Sequence, residues 1–195
     1  LETQLKDDEW RNIFQMVHRK GLKVMVTPFD EVSVSKAIEY GADELKIASC
    51  SSTEWSLIEA CTLTKKNVTI STAGRNLNEI DNIYSYLARR IPNKFTIMHC
   101  CGIYPAPNKK LNLNFIPKMV KRYPSCSIGY SGHENPYDHT ISSMAIALGS
   151  IALERHVGKE NEENGIKINA YSVNSSEISS WLKSLKNTID ALGEP

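Results

Sequence analysis

Two rhythms of apolar and polar positions take turns along the chain. Six short runs rich in β-branched residues end in polar groups: Lys23–Thr27, Leu45–Ser49, Val68–Ser71, Phe95–His99, Ser127–Ser131 and Ile151–His156. Runs this short, bounded by turn formers, predict strands. Between them the spacing is helical. Trp10, Ile13, Phe14 and Val17 follow an i, i+3, i+4, i+7 pattern, as do Ile80, Ile83, Tyr84 and Leu87; Trp55, Leu57, Ile58 and Cys61 match it more loosely. A helical stretch holding Met144, Ile146, Ala147 and Leu148 precedes the sixth strand. A last amphipathic helix over 177–192 is predicted to place Ile178, Trp181, Leu182 and Leu185 on one face. Gly21, Gly41 and Gly149 stand where helices should stop.

Successive strand ends lie about 26 residues apart, the size of a strand plus a crossover helix, which implies a parallel sheet. A doubly wound open sheet would carry G-x-G-x-x-G after its first strand, and the sequence has no such motif. The other closure is a (β/α)8 TIM barrel, whose polar groups gather at the C-terminal strand ends. That is where the hydroxyl and imidazole residues fall here. Residues 1–195 are therefore read as one α/β domain, a partial TIM barrel of six βα units. A whole barrel takes about 250 residues. Because the chain opens in a helix, the first two strands are expected to be the ones it lacks.

Composition narrows the partners. The 195 residues are 41% hydrophobic and 23% charged, which suits a globular chain rather than a disordered one. A net charge of +1 offers no bulk attraction to nucleic acid or anionic lipid, so neither is expected as a partner. No apolar run approaches the roughly 18 residues of a membrane span, and the first residues show no secretory signal pattern. Five cysteines without CxxC spacing read as reduced thiols, small and buried, in a cytoplasmic protein.

Alternation within the second run turns Leu45 and Ile47 toward the helices and Lys46 and Ala48 toward the barrel axis. An inward ammonium needs a partner. Either an anionic ligand or an acid on a neighbouring strand, such as Glu154, would serve. Thr27, Ser49, Ser71, Thr72 and Ser131 put hydroxyls at several strand ends. Each alone is an ordinary loop residue; together with Lys46 they favour a site for phosphate or carboxylate. His133 and His156 fall at the tips of neighbouring strands, which run about 4.8 Å apart. Two imidazoles so placed can meet one metal ion, and two nitrogens completed by waters and substrate oxygens suit manganese, iron, cobalt or zinc. His18 and His139 are expected to be solvated. His99 and Cys100 have opposite parity, so only one of them turns inward.

Six motifs then occur in order: Val26-Thr-Pro-Phe-Asp30, Leu45-Lys-Ile-Ala-Ser49, Ile70-Ser-Thr-Ala-Gly74, Met98-His-Cys-Cys-Gly-Ile-Tyr-Pro105, Ile128-Gly-Tyr-Ser-Gly-His133 and Leu153-Glu-Arg-His156. Over about positions 5–190 they resemble the barrel domain of the sialic acid synthase family, the N-acetylneuraminate synthases and related nonulosonate synthases. The resemblance implies a transferase of surface polysaccharide biosynthesis. It would condense phosphoenolpyruvate with an N-acetyl-amino sugar such as N-acetylmannosamine, release phosphate by C–O cleavage and use a divalent metal, usually Mn2+, as Lewis acid on the sugar aldehyde. His133 and His156 match the family's metal ligands. Lys46, Thr27, Ser49, Ser71 and Ser131 match positions around phosphoenolpyruvate, and Tyr104 matches a sugar-side tyrosine. Lys46, Tyr104 and Glu154 are the catalytic candidates, Glu154 as a partner behind the metal ligands. The family also implies a homodimer of the full-length protein, with a C-terminal antifreeze-like domain.

Three departures stand out. The family's S-D-H is Ser131-Gly132-His133 here, Gly102 replaces an Asn, and a sugar-binding Asp falls near Ile168 or Asn169. The Asn169-Ala-Tyr-Ser172 stretch and the Glu134 that follows His133 resemble a divergent branch that includes spore-coat polysaccharide synthases. The three departures support an alternative, a catalytically inactive member that binds a ligand or a partner protein. A different barrel aldolase with Lys46 as Schiff base is the third reading.

Overall fold

The computed structural model describes residues 5–160, 165 and 167–193. In chain order the main elements are α1 (Asp7–Arg19), β1 (Met25–Val26), α2 (Glu31–Glu39), β2 (Glu44–Ile47), α3 (Trp55–Leu63), β3 (Asn67–Ser71), α4 (Leu77–Arg90), β4 (Phe95–Cys100), α5 (Phe115–Arg122), β5 (Ser127–Gly132), α6 (His139–Ala147), β6 (Ala152–Arg155), β7 (Val157–Gly158), β8 (Val173–Asn174) and α7 (Ile178–Leu192). The first six strands follow chain order in a parallel sheet, and β7 and β8 form a small parallel pair. The fold is α/β, with six βα-type strands of a partial (β/α)8 barrel. Among the described residues no helix is long and apolar enough to cross a membrane.

The chain divides into two compact units, 1–96 and 97–195. In the first, the starts of α1, α2 and α4 carry their own chemistry. Asp7, Asp8 and Glu9 occupy the first turn of α1, where negative charge complements the helix dipole. Asp30 caps α2 by accepting from the Ser33 N–H at 2.6 Å. Asn76 and Glu79 form a reciprocal capping box on α4. Gly41, with φ +95°, ends α2 in a conformation that a side chain would strain. Leu45 and Val68, and Ile47 and Ile70, are register partners on one face of the sheet, and all four are fully buried. The α1 stripe is only half used: Phe14 is buried and Trp10 is exposed.

In the second unit α7 lies against α6. Trp181 donates its indole N–H to Ser142 at 3.1 Å, and Thr188 donates to Ser143 at 2.8 Å. Trp181 and Leu185 are buried there, but Leu182 is 53% exposed, so the predicted apolar face of α7 is narrower than four residues. Other expectations need correction. Lys23–Thr27 is strand only at Met25–Val26. His18 is not merely solvated: its Nε2 lies 2.8 Å from Asp43 Oδ2. Cys61 and Cys100 are buried as expected, whereas Cys50 is exposed. Of the opposed pair, Cys100 is buried, and His99 Nε2 meets the Leu111 carbonyl at 2.7 Å. Burial holds the His99 imidazole below its ordinary pKa.

Candidate functional site

In the first unit the chemistry sits at the ends of β2 and β3. Lys46 pairs in register with Thr69. Alternation then sets Lys46, as the sequence predicts, and with it Thr69 and Ser71 on the face opposite the buried Leu45 and Ile47. Past the strand, the Ser49 hydroxyl accepts the Ala73 N–H at 3.0 Å, and Arg75 Nη2 donates to the Ser49 carbonyl at 3.2 Å. Arg75 also pairs with Glu79 at 3.2 Å. The loops after β2 and β3 are thus tied together at Ser49. Ser71 is buried, and its Oγ has no hydrogen-bond partner among the described residues. A buried hydroxyl left unsatisfied costs free energy and marks a place where a ligand or water completes the structure. Lys46, Ser49 and Ser71 thus put an ammonium and two hydroxyls on adjacent strands and the loop that follows, residue types suited to an anion. Arg75 escaped the sequence reading, because nothing in Ala73-Gly-Arg75 distinguishes it from a solvated loop arginine. Thr27 is placed differently: it lines a cavity of about 480 Å3 with Trp10, Phe14, Phe29 and Tyr40.

In the second unit the tips of β5 and β6 carry the two imidazoles. The His133 and His156 ring centres are 5.2 Å apart. A metal bound at ~2.1 Å by one nitrogen of each ring would lie about 3.2 Å from each ring centre, so this separation fits a shared ion. Among the described residues no third His, Cys, Asp or Glu joins them to make a cluster. A pair leaves coordination positions open to waters and substrate oxygens. Two tyrosines complete a ring cluster. Tyr104 lies 4.2 Å from His133, and Tyr171 packs edge-on against His156 at 5.1 Å and against Tyr104 at 5.4 Å. Tyr104 is half exposed, as suits a residue that meets a ligand. The backbone of its loop is anchored where Ala106 N–H donates to the His133 carbonyl at 2.8 Å.

Behind the imidazoles, Ser131 and Glu154 are register partners and are hydrogen-bonded at 2.8 Å. On the alternate positions, Tyr130 donates to Glu134 at 2.7 Å and Arg155 pairs with the same carboxylate. Burial, reinforced by that carboxylate, raises the Tyr130 hydroxyl far above its ordinary pKa. Gly132, noted as a departure, has a steric reason: a Cβ there would sit 2.8 Å from both Glu134 carboxylate oxygens. Ile168 packs its Cγ2 where a Cβ on Gly158 would be, 2.0 Å away. The region expected to supply a sugar-binding Asp is therefore engaged in apolar packing. Tyr171, missed as a site residue, follows three positions later, in a stretch with no strand or helix pattern to orient it.

The fold and the strand-tip groups define an α/β protein of the barrel class with its polar chemistry at the C-terminal ends of the strands. More narrowly, a family model describing the NeuB family matches residues 1–195, and the chain belongs to that family. It is 26% identical to the N-acetylneuraminate-9-phosphate synthase of Homo sapiens over 98% of this chain and 52% of that protein. Two crystal structures superpose closely. One is a Chromobacterium violaceum protein assigned as spore coat polysaccharide biosynthesis protein E, with TM-score 0.93 and 35% identity, covering 99% of this chain and 56% of that one. The other is the N-acetylneuraminic acid synthetase of Leptospira borgpetersenii in complex with citrate, with TM-score 0.89 and 25% identity, covering 98% and 65%. The chain spans about half the length of the curated relatives it matches.

Proposed function

We propose that this chain forms part of a synthase that condenses phosphoenolpyruvate with an N-acetyl-amino sugar to give a sialic-acid-type nonulosonate and phosphate. The observation that carries the reading is the His133–His156 pair, 5.2 Å apart, with Tyr104 against it. Membership of a family whose relatives are named synthases supports it.

His133 and His156 would hold a divalent ion, with Mn2+ the first candidate. When bound, that ion supplies Lewis-acid polarisation of the sugar aldehyde. The protein's own groups bind and orient. Lys46 and Arg75 supply positive charge for the phosphate or carboxylate of phosphoenolpyruvate, and Ser71 offers a hydroxyl not yet committed to the fold. Ser49 is fixed by Ala73 and Arg75, so its loop binds without first being ordered. Tyr104 presents an aromatic face and a hydroxyl on the sugar side, and Glu154 holds the Ser131 hydroxyl proton from behind.

The test is phosphate release from phosphoenolpyruvate by the full-length protein with Mn2+ and a panel of N-acetyl-hexosamines. Release that depends on one sugar and is lost in His156→Ala is expected. The packing of Ile168 on Gly158 favours a second reading, a family member that binds ligand without turnover. Mn2+ binding with no release for any sugar selects that reading.

A further inference from the structure

Each imidazole has, as its neighbour in sequence, one half of a buried ion pair. Glu134 follows His133, and Arg155 precedes His156. The Arg155 and Glu134 side chains are 2% and 0% exposed. Arg155 grips its partner twice: Nη1 donates to the Glu134 carbonyl at 3.1 Å, and Nη2 donates to Oε1. The second carboxylate oxygen accepts from Tyr130 at 2.7 Å. Residue 132, the register partner of Arg155, is a glycine whose missing side chain leaves room for this carboxylate.

We infer that the Glu134–Arg155 pair is the positioning device of the two histidines, setting the separation at which they can share one divalent ion. The ladder between β5 and β6 ends at Gly132 and Arg155, so His133 and His156 lie just beyond it. With no third protein ligand among the described residues, nothing in the ligand set itself fixes the distance. A metal site tolerates about 0.5 Å of error, and a guanidinium held at two points fixes orientation as well as spacing. A buried ion pair is a poor source of net stability, because desolvating both charges offsets their attraction. Its effect here falls on geometry. The inference rests on the reading of His133 and His156 as metal ligands.

The experiment is calorimetric titration of Mn2+ alone into the protein, with the visible spectrum of bound Co2+ as a second readout of coordination geometry. Arg155→Lys keeps the charge and loses the fork. The double variant Glu134→Leu with Arg155→Met removes both charges at similar volume, so no lone buried charge is left to unfold the chain. Mn2+ affinity is expected to fall roughly tenfold in the first and up to about a hundredfold in the second, with a changed Co2+ spectrum. A folded double variant with wild-type affinity and spectrum, beside a His156→Ala variant that binds no metal, overturns the inference and leaves the metal reading standing. Wild-type affinity in His156→Ala itself overturns both.

Discussion

Ser131 donates its hydroxyl to Glu154 Oε1 at 2.8 Å, between register partners on β5 and β6. A serine hydroxyl has one proton to give. While Glu154 takes it, Ser131 offers an incoming ligand only lone pairs, which a phosphate oxygen does not want. Glu154→Gln changes this. The amide can donate to Ser131 Oγ, free the hydroxyl proton for the ligand and remove a nearby negative charge. Phosphate affinity, measured by calorimetry, is expected to tighten roughly three- to tenfold, the scale of one net hydrogen bond. Unchanged or weaker binding removes Ser131 from the anion site.

Ser71 makes the complementary case. Its buried Oγ has no hydrogen-bond partner among the described residues, so the fold gains little from the hydroxyl. Ser71→Ala should raise the unfolding free energy by about 1 kcal/mol, the lower end of what an unsatisfied buried group costs. It should also weaken the binding of phosphoenolpyruvate several-fold. The opposite signs separate function from packing. A variant that melts lower and binds as tightly as wild type assigns the hydroxyl to the core.

The strand tips were legible because six short β-branched runs, each ending in polar groups, recur at a mean spacing of about 26 residues. Alternation then oriented Lys46, since Leu45 and Ile47 are fully buried. Helices with little periodic signal were harder to read. The α5 helix has eight residues and carries Pro117 in its first turn, where proline is tolerated but resembles a break. The supports of the site were not legible either. Glu134 and Arg155 are 21 residues apart, and neither shows in a local pattern. Gly132 stands where the resembled family has an acid, and a one-dimensional pattern cannot show that its missing side chain leaves room for Glu134. Tyr171 reaches His156 from a turn, where no period assigns a direction.

A pH dependence follows from Asp43. One carboxylate oxygen, Oδ2, accepts the Val24 N–H at 2.7 Å and meets His18 Nε2 at 2.8 Å, tying α1 to the segment entering β1. The Val24 hydrogen bond first, and His18 second, hold the Asp43 carboxyl below the usual carboxylate range. A carboxyl depressed in the folded state releases its proton more readily there than in the unfolded chain. Its stabilisation is therefore present above the unfolded value, about 3.9 for Asp, and is lost as pH falls through the folded value. Asp43→Asn keeps an oxygen for Val24 and removes the charge. Urea unfolding at a series of pH values should find the variant less stable above about pH 5. That margin should shrink as the pH drops below the ordinary Asp range. The group is partly exposed, and salt should narrow the margin as well. A gap that widens toward acid would show that the charge on Asp43 opposes the fold.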